Sequence, residues 1–407
     1  MTDYSKSRRG SVPVFLAVIL ATLISLSLML VHAARQEAII SVTDGVMHLA
    51  ADSIMSEYNR DIQKDYGLFL LEGTDRELTR KFRSYVDFSL RYMDGISTGR
   101  CSVSAGRFSV ADLTSVERQI IELMKSGCGI RDSASNYGSD SKSDSELKKV
   151  LRHGPTIVSL PSRQLPDKSL AASAAQVGES LSNPGAIFRQ GTRKFLFDSY
   201  VLGYFNCRGH TAGEGHFFSQ EVEYILCGEL SDERNEKKVR TALKAMRIPL
   251  NLAHIYSDPD KVAAVAAAAE ILTPGILGTV TQAGIATVWA TAEASNDVKL
   301  LYAGYRVPII KDKSSWAIEL NALIGGLGDD YITPAVNRGR DYKDYLRIFL
   351  FFKDKNIKTA RILDLIQINM RKNHDKDFLV QECATGITVD AVICGRSLSY
   401  EKTYHKR

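Results

Sequence analysis

The chain has 407 residues, 44% apolar and 24% charged, with 52 basic against 47 acidic side chains and a formal charge of +5. These proportions exclude a disordered, collagen-like or coiled-coil chain, and a mean hydropathy of −0.12 excludes a bundle of membrane spans. A charge of +5 over 45.0 kDa carries no argument for nucleic acid, and at roughly 150 residues per domain the length allows two or three units.

Residues 1–9 form a short basic tail containing Lys6, Arg8 and Arg9, whereas residues 10–34 hold no Asp, Glu, Lys or Arg. Pro13 to Val31 is almost entirely Leu, Ile, Val, Ala, Phe and Met. As a helix this stretch reaches roughly 28 Å, close to the hydrocarbon thickness of a bilayer. Pro13 falls in the first turn, where its missing N–H costs nothing. A transmembrane helix is expected. After it only Arg35 precedes Arg60, so the basic tail is expected in the cytoplasm and the rest of the chain outside. A secretory signal, with Val31-His32-Ala33 as a small-residue cleavage site, is the competing reading and also exports the remainder.

Beyond the span, Ile39, Val42, Val46 and Leu49 recur at helical spacing, and Ala50, Ile54, Tyr58, Ile62 and Tyr66 continue at intervals of four. The pattern predicts a stalk helix ending near Gly67 to Gly73. Its apolar stripe fits either a partner subunit or the chain's own domain. Helices are predicted next over Thr74 to Tyr92 and Val116 to Met124. Residues 131–185 read as a linker: RDSASNYGSDSKSDSE cannot build a core, and Ser159 to Gly185 is rich in Ser, Pro and Ala.

The distal part mixes element types. Phe217 to Leu226, Arg306 to Ile310, Phe378 to Cys383 and Ile387 to Cys394 read as strands. Arg234 to Met246, Lys299 to Tyr305, Tyr342 to Phe352 and Thr359 to Arg371 read as helices. The irregular order suggests α+β rather than a doubly wound sheet. The uncharged stretch Ile271 to Ala292 is too rich in Thr and Gly, and too early broken by Pro274, to match the first span; a buried helical hairpin is expected.

Few residues suggest chemistry. His210, Glu214 and His216 could ligate a metal, but the spacing matches no zinc signature and the glycines around them read as a solvated loop. Glu293 and Asp297 share a helical face and could act as acid and base or hold a cation, although such pairs more often cap or solvate a helix or meet Lys or Arg such as Lys299 or Arg306. No GxSxG, HExxH, P-loop or dinucleotide fingerprint occurs. Six cysteines without a CxxC permit disulfides, Cys383 with Cys394 being the most natural pair. The C-terminal Lys402, His405, Lys406 and Arg407 read as a solvated tail. The expectation is therefore no catalytic, cofactor or metal residues, and no enzyme.

The leader RRGSVPVFLAVILATLISLSLMLVHAAR and the segments EYNRDIQKDYGLFLLEG, FSQEVEYILCGELSDERN, WATAEASNDVKLLYAGYRVP and DYKDYLRIFLFF together resemble an uncharacterised family of membrane-anchored proteins in Gram-positive bacteria, associated with Tad/Flp-type pilus loci. Arg8-Arg9-Gly10-Ser11 also resembles a prepilin-type leader, although those leaders carry Glu five residues after the cleavage point, where this chain has Phe15. The resemblance implies a TadE/TadG-like minor pilin-like component that assists assembly or display of a pilus or secretion filament. Its partners would be the lipid bilayer and filament subunits, met through the transmembrane and stalk helix. The alternative is an anchored extracellular binding module or adhesin. The expected organisation is a cytoplasmic tail (1–9), a transmembrane helix (10–34), a stalk helix (35–72), a helical membrane-proximal region (73–130), the linker (131–185) and an extracellular α+β domain (186–407).

Overall fold

A computed structural model describes residues 11–93, 98–127, 160–181, 191–212, 215–273, 278–324, 338–393 and 396–404. In chain order the described helices of seven or more residues are α1 (Ser11–Met55), α2 (Arg60–Tyr66), α3 (Asp75–Leu90), α4 (Leu113–Lys125), α5 (Leu170–Leu181), α6 (Gly191–Tyr204), α7 (Glu221–Cys227), α8 (Asp232–Ser257), α9 (Pro259–Leu272), α10 (Gly278–Tyr302), α11 (Tyr342–Phe352) and α12 (Lys355–Asn373). The strands β1 (Thr98–Ser104), β2 (Gly386–Ile393) and β3 (Arg396–Thr403) form one antiparallel sheet in the order β1-β2-β3. The result is a helix-rich α+β protein divided into two compact units: one of residues 1–58, 71–107 and 386–406, the other of 59–70, 108–385 and 407.

In the first unit three periodicities meet in one core. Leu78, Phe82, Val86 and Leu90 recur every four residues on α3, and Met47, Ala50, Ala51 and Ile54 line α1. Ile387, Val389 and Ala391 alternate along β2, with Cys101 and Val103 from β1. α3 opens on a capping box: Glu77 N–H donates to Thr74 Oγ1 at 3.4 Å, and Thr74 N–H donates to the Glu77 carboxylate at 3.0 Å. The expected stalk over 35–72 is in two pieces, because α1 ends at Met55 and Arg60–Tyr66 is a separate short helix stopped by the left-handed Gly67. On α1, Ile54 is buried within this unit's own core, whereas Val42 and Leu49 stay exposed. The C-terminal segment is not a free tail: Lys402 lies in β3 with its ammonium 3.0 Å from Asp52. His405 to Arg407 lie outside the described residues.

The second unit is built around α8 and α12. Residues 131–159 of the expected linker lie outside the described residues, but 160–181 do not behave as a linker. Leu160, Leu170, Ala174 and Val177 are buried, and α5 packs closely on α8. A Cβ on Gly178 would sit 2.4 Å from the carbonyl oxygen of Met246 and 2.8 Å from Pro249 Cγ. The small residues that read as low complexity are what lets two helix backbones approach. Phe217 to Leu226 is likewise not a strand: its second half is α7, buried on every side. Arg306 to Ile310 contributes a single bridge, Val307 to Arg340, and Phe378 to Cys383 a 3₁₀ turn at Val380–Glu382. The stretch Ile271 to Ala292 falls on the end of α9 and the first part of α10, which pack through Val265, Ala268, Ala286, Trp289 and Ala290; it is not buried throughout as expected, because Ile271 is 81% exposed and Val280 72%.

α12 has no polar face, because every residue from Ile357 to Arg371 is buried. Asp354 caps its N-terminus, accepting from the amides of Asn356 and Ile357 at 2.9 and 3.1 Å. Each buried polar side chain finds a partner. Lys358 pairs with Asp198 at 2.6 Å, and Arg361 with Asp167 at 2.6 Å. Asp364 accepts from Tyr224 Oη at 2.8 Å and Ser162 N–H at 3.1 Å. Asn369 donates to Glu221 at 2.7 Å.

Candidate functional site

Three places in the molecule depart from ordinary packing. The first is the N-terminal part of α1. Every residue from Val12 to Ala38 is exposed, and burial begins at Ile39. Met29 is 72% exposed and Phe15 66%. Among the described residues this is the one helix long and apolar enough to cross a membrane.

The second is a buried ion cluster in the second unit. Glu293 and Asp297 do share a face of α10, as their spacing requires, and the cations that meet them are Arg247 and Lys311. Arg247 Nε donates to Asp297 Oδ2 at 2.8 Å, and Lys311 Nζ lies 2.6 Å from Asp297 Oδ1 and against Glu293. All four side chains are essentially inaccessible. Asn251 Nδ2 adds a bond to Asp297 at 3.0 Å, and Arg247 Nη1 donates to the carbonyls of Pro308 and Ile309 at 2.9 and 2.8 Å. Glu293 accepts from the amides of Ala317 and Ile318, each at 2.9 Å. Burial alone would raise the Asp297 pKa, but Arg247 and Lys311 outweigh it and hold the carboxyl below its ordinary range. The Asp297 carboxylate in turn raises the Arg247 pKa against the effect of burial. Two cationic side chains thus face two carboxylates. The arrangement ties α8 and α10 to residues 308–318 and, through Tyr345 Oη at 3.2 Å from Arg247, to α11.

The third surrounds the Gly209 to His216 loop. His210 Nε2 lies 2.8 Å from Lys343 Nζ, and burial with that ammonium lowers the His210 pKa. His216 Nδ1 is 2.6 Å from Glu221 Oε2. Glu214 lies outside the described residues. The two histidines therefore serve different partners, and among the described residues no group of three or more His, Cys, Asp or Glu could hold a metal. Cys101, Cys207 and Cys227 are buried thiols outside any disulfide. Cys383 is buried too, and its expected partner Cys394 lies outside the described residues.

Sequence reasoning missed the acidic helix α7, whose short apolar run gave the same signal as a buried strand. Glu223 is fully buried and accepts from Arg208 N–H and Tyr342 Oη, both at 3.0 Å. Burial pushes its pKa up to about 7 despite those bonds. Next to it, Arg208, His210, Tyr302, Tyr342 and Lys343 line a cavity of about 230 Å³. The Arg208 guanidinium lies 4.7 Å over the Tyr302 ring. A glutamate between two tyrosine- and arginine-bearing segments, seven positions after a histidine loop, was the available signal.

The fold and these sites define a helix-rich α+β protein carrying one apolar helix of membrane-spanning length. The chain belongs to a family of unknown function (DUF5702), whose sequence profile matches residues 141–395. No curated protein and no solved structure matches it. The matched stretch covers most of the second unit and stops short of α1.

Proposed function

We propose that the chain is a single-pass, pilin-like membrane protein. In this reading α1 anchors it with residues 1–9 in the cytoplasm, and both units act outside as a non-catalytic component in assembling or displaying a pilus or secretion filament. One observation carries the proposal: α1 is a single helix whose first part is apolar and wholly exposed, and it runs without a break into a packed α/β unit. Each exposed Leu, Ile or Val forgoes roughly 1.5 kcal/mol or more of burial. Over Val12 to Val31 the total exceeds the roughly 5–15 kcal/mol that keeps a whole domain folded. A bilayer, or helices of neighbouring subunits, supplies the missing apolar medium. Lys6, Arg8 and Arg9 before the span, against Arg35 after it, support the orientation. The filament assignment rests on the resemblance of the leader and the later segments.

The test uses the part of α1 beyond the span. Val42 and Leu49 are exposed, so Val42→Glu with Leu49→Glu leaves the core of the first unit intact. Membranes should retain this variant while filament subunits cease to co-purify with it. Co-purification at the wild-type level would overturn the assembly role. An exported binding module is the second reading, favoured by the cavity of about 230 Å³ beside Glu223.

A further inference from the structure

The direction of each element in the first unit can be followed through its hydrogen bonds. Tyr400 on β3 bonds to Asp44, Lys402 pairs with Asp52, and Tyr404 donates to the Met55 carbonyl, so β3 runs parallel to α1. β2 is antiparallel to β3, and β1 antiparallel to β2, so β1 also runs parallel to α1. Asp75 accepts from Ala105 N–H, and Thr79 exchanges hydrogen bonds with Val103, so α3 runs the opposite way. The end of α3, the start of β1, the end of β2 and the start of β3 therefore share the end of the unit from which the bare part of α1 emerges.

Their heights along α1 agree. From Tyr400 back to Arg396 a strand covers about 13 Å, and from Asp44 back to Arg35 a helix covers about 13.5 Å. Thr98 pairs with Ile393, which pairs with Arg396. From Thr79 to Leu90 α3 rises about 16.5 Å, matching the distance of about 16.5 Å that β1 covers from Val103 to Thr98. The rim of the unit thus lies level with Arg35 to Ile39, where burial of α1 begins. From Ala34, the last residue of the uncharged segment, to Ile39 is about 7.5 Å of helix. The headgroup layer of one leaflet is roughly 5–7.5 Å thick. On this rim Phe88 is 72% exposed, Tyr92 90% and Met93 41%. The Arg91 guanidinium lies 5.9 Å over the Phe88 ring, and Arg100 is exposed, with Asp87 and Glu37 the exposed acids among the described residues.

We propose that this rim is a lipid-contacting surface: Phe88, Tyr92 and Met93 enter the interfacial layer of the leaflet from which α1 emerges, and Arg91 and Arg100 meet lipid phosphates. Aromatic and methionine side chains with arginines are the residue types that this layer accommodates. The site continues the surface that α1 offers to the bilayer, and the proposal rests on the reading of α1 as a membrane anchor.

The experiment places a tryptophan on the rim. Full-length Tyr92→Trp is reconstituted into phosphatidylcholine vesicles whose upper acyl chains are brominated, with wild type as background for Trp289 and Trp316. Arg76→Trp, exposed at the opposite end of α3, is the control. The Tyr92→Trp emission should fall at least roughly twofold, because a side chain in the interfacial layer meets the quencher, while Arg76→Trp emission stays unchanged. Equal, unquenched emission from both variants in vesicles that keep the protein through a carbonate wash would overturn the rim contact alone. Release of the protein by that wash would overturn the anchor reading and the rim contact with it.

Discussion

α1 and α12 sort their side chains in opposite senses. The first part of α1 is almost purely apolar and wholly exposed, whereas α12 carries Lys358, Arg361, Asp364, Asn369 and Arg371 and is buried throughout Ile357 to Arg371. Each inversion has its own remedy. α12 finds a hydrogen-bonding or ionic partner for each of these side chains inside the second unit, although Arg361 Nε and both terminal nitrogens of Arg371 are without a bond among the described residues. Among the described residues α1 is exposed from Val12 to Ala38, so the proposed reading supplies its environment from outside. In the proposed reading, the difference separates a helix that is finished by folding from one that is finished by a bilayer or by other subunits.

The largest effects should come from leaving a buried charge without its partner. Asp297→Ala strands Arg247 and Lys311 with one carboxylate between them, a loss of about 3–5 kcal/mol, measured by urea denaturation of the full chain in detergent. Arg247→Met combined with Asp297→Leu should be less damaging than Asp297→Ala alone. A double variant at least as unstable as the single would break the view that these charges are mutually compensating. Next, Leu23→Arg near the middle of the span should disfavour insertion by about 2.5–3.5 kcal/mol, read as a smaller carbonate-resistant membrane fraction. An unchanged fraction would show that this side chain does not meet lipid.

Glu223 sharpens the comparison through pH. The folded chain holds its proton up to about pH 7, against an ordinary value of 4.5, so stability falls as pH rises between those values. Glu223→Gln should stabilise the chain above pH 7 by up to about 3 kcal/mol, the advantage vanishing below pH 4.5 as wild type becomes protonated in both states. A pH-independent difference would contradict the assignment. The smallest effect belongs to Thr74→Ala, which removes the cap of α3 at a cost of about 1 kcal/mol, seen as a small shift in the same denaturation curve.

How much of this was legible in the sequence followed the same division. Where one side of an element is apolar the period was readable, so α3, α11 and β2 fell close to their predicted bounds, and the uncharged run of α1 was plain. The shared face of Glu293 and Asp297 was readable too. Their partners were not, because Arg247 and Lys311 come from distant positions brought in by the fold. α5 was read as linker because close helix packing selects the same small residues as low complexity. α7 was read as a strand because full burial erases the period. The return of β2 and β3 to the first unit depends on pairing with β1 nearly 300 residues earlier, which no local pattern encodes.

The central claim, that α1 remains as an anchor in a membrane, is tested most directly by washing membranes with alkaline carbonate and sequencing the N-terminus of the protein that stays behind. The account predicts a pelleted protein beginning at Met1 or, after prepilin-type processing, at Ser11. A soluble protein beginning at Ala34 would contradict it, because α1 would then be a leader that the mature chain has lost.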